Sequence, residues 1–149
     1  SSNGFSVQYI LKNESPFALK GIFAVETNFA RTCFLTEQYE AEMIYKGNRT
    51  EIPLAETFTA EKDAETGGLS LLQIKDIPEK VLILFEPNED SGFMIRNIKF
   101  ADDADSSNLN SDGEILCSRF YWEVNLAPAR AMEKTINVSI ISAKIKGNL

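Results

Sequence analysis

Between Ile115 and Leu126 apolar and polar positions alternate one residue at a time. Leu116, Phe120, Trp122, Val124 and Leu126 share one parity, interrupted by Ser118, and Arg119, Tyr121, Glu123 and Asn125 share the other. Successive side chains of a strand point to opposite faces, so this pattern predicts a long strand with one face in a core and one in water. The core face carries the only Trp, beside Phe120, and large aromatics bury more apolar area than other side chains. Phe5, Val7, Tyr9 and Leu11 alternate with Ser6, Gln8 and Lys12 in the same way. Leu19, Phe23, Val25 and Phe29 form the apolar side of a second long segment opposite Lys20, Glu26 and Asn28. The short connection Asn13-Glu14-Ser15-Pro16 predicts a hairpin between these two.

Further on, Thr36–Met43 suits either a helical turn or an irregular strand, and Lys46-Gly47-Asn48-Arg49 reads as a turn. Leu69–Ile74, Lys80–Glu86 and Gly92–Phe100 are β-rich, with Pro or Asn, Asp and Gly between them. Val81–Phe85 is apolar on both parities, as a strand covered on both faces would be. Parity slips near Arg96-Asn97 and again at Ile141, predicting two bulges. Lys134–Ile145, with Ile136, Val138 and Ile140 on the core side, is expected to pair back on the strand before it. About nine strands with hardly any helical period predict an all-β antiparallel sandwich, a closed barrel being the alternative.

Composition narrows the picture. The 149 residues predict one domain, 1–149, of ordinary globular make-up, 44% apolar and 25% charged. A net charge of −7 with basic residues scattered singly argues against nucleic acid and anionic membrane as partners. The chain opens SSNGF without a basic-then-apolar leader, and the compartment stays open. Cys33 and Cys117 are expected as two buried thiols rather than a bridge. The absence of histidine removes the commonest general base and the usual zinc ligand, so any catalysis rests on carboxylates, Lys or Tyr.

Three groups of residues are candidates for chemistry. Tyr121, flanked on its face by Arg119 and Glu123, is a ring able to stack on a sugar, and Glu26 sits mid-strand on another polar face. Glu26 and Glu123 would form a hydrolytic pair only if the fold brought them within about 5–10 Å. Asn108, Asn110 and Asp112, followed by Gly113, match the opening half of a calcium loop. Arg119 stands where the closing Glu belongs. Too few charged oxygens remain, so no cofactor is expected, calcium being the one left open.

GIFAVETNFA (Gly21–Ala30), the strands from Leu69 to Phe85, and FYWEVNLAPARAMEKTINVSI (Phe120–Ile140) together resemble the C-terminal β-sandwich domain of glycoside hydrolase family 57 α-amylase/4-α-glucanotransferase enzymes. That domain has an early Phe-x-Val-Glu-x-Asn strand, here Phe23–Asn28, and a late Trp-x-x-x-Leu-x-Pro, here Trp122–Pro128. Two departures stand out: an acidic loop, Ala101–Glu114, replaces a Ser-, Glu- and Gly-rich segment, and Ala129 replaces the usual Gly after the Pro. The resemblance implies a non-catalytic accessory domain, not itself an enzyme. Its partners would be the catalytic domain of the same polypeptide, which carries the catalytic carboxylates, and α-glucan. An independent carbohydrate-binding or surface adhesion module, and a small hydrolase using carboxylates and Tyr, are the alternatives.

Overall fold

The computed structural model describes residues 2–31, 39–53, 58–62, 67–100 and 113–142. Among them are ten strands: β1 (Ser2–Lys12), β2 (Leu19–Arg31), β3 (Tyr39–Tyr45), β4 (Asn48–Ile52), β5 (Phe58–Lys62), β6 (Leu69–Asp76), β7 (Val81–Pro87), β8 (Gly92–Phe100), β9 (Gly113–Leu126) and β10 (Ala131–Ser142). They form a six-stranded sheet, β1-β10-β7-β6-β3-β4, and a four-stranded sheet, β2-β9-β8-β5. Every pairing is antiparallel. The all-β sandwich expected from the alternating pattern is what forms.

The alternating segment around Trp122 is β9, and its parity holds. Leu116, Ser118, Phe120, Trp122, Val124 and Leu126 are buried, and Arg119, Glu123 and Asn125 are exposed. Cys117 and half-buried Tyr121 share the outward parity. The core lies between the sheets, where Tyr9 of β1 meets Phe23 of β2 and Tyr45 of β3 meets Phe93 of β8, each at 5.5 Å between ring centroids. Phe29 of β2 reaches Tyr39 of β3 at 6.2 Å. β2 thus runs diagonally beneath the large sheet, from its β1 edge towards β3, as twisted sheets do when they stack.

Several local expectations give way. β1 and β2 do not form a hairpin: β1 pairs with β10 and β2 with β9, and the connection carries the chain from one sheet to the other. Connection length suits both outcomes, and Asn13 decides between them. Buried, it donates from Nδ2 to the carbonyls of Phe17 (2.7 Å) and Leu126 (2.9 Å) and accepts at Oδ1 from Ser15 N–H (3.0 Å). Its backbone bonds Arg130 and Ala129 in the β9–β10 turn, so two sheet-crossing connections are held together by one residue. β10 likewise pairs with β1 and β7 rather than β9.

Neither predicted bulge exists. The register is unbroken through Arg96-Asn97 and through Ile141, and the one shift among the described residues lies between Ile44 and Tyr45. Ile141 is instead tolerated on the outer face, 38% exposed. Val81–Phe85 is interior to its sheet, yet only Val81, Ile83 and Phe85 share a face with core residue Val138; Leu82 and Leu84 face outward. Between β3 and β4 the chain turns at Lys46 (φ 48°) and Gly47 (φ 76°), the two left-handed residues of a type I′ hairpin.

Candidate functional site

Cross-strand pairing fixes which side chains meet on the outer face of the small sheet. Residues directly opposite lie on one face, so the register sorts it into rows. One row holds Asn28, Cys117 and Arg96, and the next Glu26, Arg119 and Met94. Then come Ala24, Tyr121 and Gly92, followed by Ile22 opposite Glu123. Charge and aromatic character are therefore concentrated along β2 and β9, and Tyr121 stands between two small residues, Ala24 and Gly92.

Arg119 Nε donates to Glu26 Oε2 at 2.5 Å, and Asn28 Nδ2 donates to Glu26 Oε1 at 2.9 Å. Both carboxylate oxygens are thus engaged. The hydrogen bond from Asn28, then that from Arg119, holds the Glu26 carboxyl below its ordinary range. Arg119 is held charged by its bond to Glu26 and next by one with the Tyr121 hydroxyl. Burial first, and then the negative Glu26, pushes the Cys117 thiol up, leaving it neutral and inert. The result is a fixed donor–acceptor pair beside a half-open ring: Glu26 ionised, Arg119 with nitrogens to spare, and the space flanking Tyr121 kept free by Ala24 and Gly92.

Of the four residues singled out for sugar contact, Tyr121, Glu26 and Arg119 are brought together. Glu123 shares the face but lies four residues from the row of Glu26, about 14 Å away by strand geometry. That exceeds the spacing of a hydrolytic carboxylate pair. Asn108, Asn110 and Asp112 lie outside the described residues, as does Cys33. Among the described residues no cluster of three metal-ligating side chains occurs, and Cys117 is a buried free thiol. Sequence reasoning overlooked Asn28, although its i+2 spacing from Glu26 placed it on the same strand face. It also overlooked Ala24 and Gly92, whose contribution is the absence of bulk. Another groove, about 660 Å³, lies against the outer face of the large sheet by the β6–β7 turn and holds none of these residues.

No protein-family model matches the chain, and no curated protein sequence matches it. A solved structure does: a "putative aldose 1-epimerase" of Escherichia coli K12, with a TM-score of 0.65 and 12% sequence identity. The likeness is one of fold. It covers 93% of this chain and 56% of the bacterial one, so the chain spans little more than half of that protein's length. The expectation that the chain is not an enzyme is overturned here. Its architecture is shared with a protein named for a reaction on sugars, and a sandwich without histidine is no ground for excluding chemistry.

Proposed function

We propose that this chain is a carbohydrate-binding β-sandwich domain of an α-glucan-acting enzyme of the glycoside hydrolase family 57 kind, holding glucan on the outer face of its small sheet and packing on the catalytic domain of the same polypeptide. The observation that carries this reading is Tyr121 set between Ala24 and Gly92, beside the Glu26–Arg119 pair. A pyranose ring offers an apolar face to an aromatic ring and a rim of hydroxyls. Those hydroxyls can donate to an ionised carboxylate or accept from a guanidinium. An ion pair already in place presents both partners without an ordering cost at binding. The Phe-x-Val-Glu-x-Asn segment and the fold neighbour's name support the sugar class. In calorimetric titration with maltoheptaose, Tyr121→Ala should weaken binding about tenfold. Equal affinities for the two proteins would refute the reading.

The fold neighbour favours a second reading, interconversion of sugar anomers on this same face. That reaction takes a proton from the anomeric hydroxyl and returns one to the ring oxygen. Glu26, with its basicity lowered by Asn28 and Arg119, suits hydrogen bonding better than proton abstraction. Polarimetry of freshly dissolved α-D-glucose separates the readings: mutarotation faster than in buffer alone favours the second.

A further inference from the structure

We infer that the free edge of β2 is a docking site for an extended strand of a partner protein, one that alternates apolar and polar residues and carries an acidic residue opposite Lys20. β2 runs for 13 residues in unbroken register with β9, and its other edge has no strand beside it among the described residues. It contains no Pro or bulge, the usual devices that blunt an edge.

The small sheet is also too narrow for its partner, four strands against six. Because β2 crosses the large sheet diagonally, from Tyr9 to Tyr39, it leaves a corner of that sheet's inner face bare. Phe5 and Ile140 share a face with buried Val138 and Ile136 by register, yet they are 57% and 39% exposed. On the outer face at the same edge Ile22 is 67% exposed. A strand laid along β2 would cover all three. A strand added to β1 would only widen the large sheet and leave Phe5 and Ile140 bare. β4 and β5, the remaining edges, are five residues each.

Charge sets the partner's chemistry. Lys20 makes no ion pair among the described residues, whereas Glu26, six residues on and on the same face, is already held by Arg119 and Asn28. An antiparallel partner with Glu opposite Lys20 and apolar residues opposite Gly21, Phe23 and Val25 satisfies the edge, the bare corner and the unpaired charge together. This inference does not depend on the sugar reading, and its test uses no sugar.

The probe is the heptapeptide Lys-Val-Thr-Val-Thr-Val-Glu, titrated into the isotope-labelled full chain and followed by amide and methyl NMR. The expected result is saturable shifts on β2 amides and the Ile140 methyls. They should be absent with Pro at the central Val, and Lys20→Glu should weaken the binding about threefold. Lys20→Ala, which leaves the strand's apolar pattern intact, should give a smaller loss. No shifts at millimolar peptide, or shifts confined to β1, β4 or β5, would overturn the inference. So would sedimentation showing a dimer of the chain with β2 amides protected, since the edge would then belong to a second copy.

Discussion

Trp122 and Tyr121 are adjacent in the chain and opposite in environment. Trp122 is 4% exposed, stacked on Phe23 with centroids 6.0 Å apart and donating from Nε1 to the Glu89 carbonyl. Trp122→Ala should lower unfolding free energy by about 3–5 kcal/mol, and Tyr121→Ala by less than about 2 kcal/mol, in urea titrations. Ala129 offers a change of opposite sign. It follows Pro128 in the turn closed by Arg130 N–H to the Ala127 carbonyl, and its φ of 59° is where a side chain strains the backbone. Ala129→Gly should stabilise the protein by about 0.5–1 kcal/mol, measured the same way. Glu26 predicts a pH dependence. Its carboxyl lies below the ordinary glutamate value in the folded state, so its contribution is present above the unfolded value and lost as pH falls through the folded one. The melting-temperature gap between wild type and Glu26→Gln should be constant from pH 7 to about 5 and close below about pH 4. Its exposure keeps that gap small.

At the scale of elements, what was legible in the sequence was whatever a single strand decides for itself. The alternation of β9 fixed its buried and exposed faces, because a strand's two sides see different media whatever its neighbours are. Pairing was not legible. A short link such as Asn13–Ala18 fits a hairpin or a sheet crossing, and the hydrogen bonds of Asn13 to Leu126 and Arg130 exist only once both connections are in place. The apparent bulge at Ile141 failed because an apolar residue on an outer face was read as a shift of register, and the register through Arg96-Asn97 is unbroken as well. The site was partly legible for the same reason. Parity put Arg119, Tyr121 and Glu123 together, while the meeting of Glu26 with Arg119 rests on a pairing across 93 residues. Lys134 shows how an element can hide a charge. Although it is 9% exposed on the core face of β10, its ammonium reaches Glu89 and lies over the Trp122 ring. Glu89→Ala should destabilise the protein by about 1–2 kcal/mol by leaving that charge alone, whereas Lys134→Met should be near neutral, both read from denaturant midpoints.

For the whole molecule, two sheets of unequal width divide the labour between core and surface. One outer face, on β2 and β9, joins an ion pair to an accessible ring; the other, on the large sheet, carries the outward Leu82 and Leu84, with Ile141 opposite Leu82. We propose that glucan binds the first face and no other. The most direct measurement is an amide NMR titration of the intact chain with maltoheptaose. Progressive shifts confined to Ala24, Glu26, Asn28, Gly92, Arg119 and Tyr121 are the predicted result. Shifts centred instead on the outer face of the large sheet, or none at saturating sugar, would contradict it.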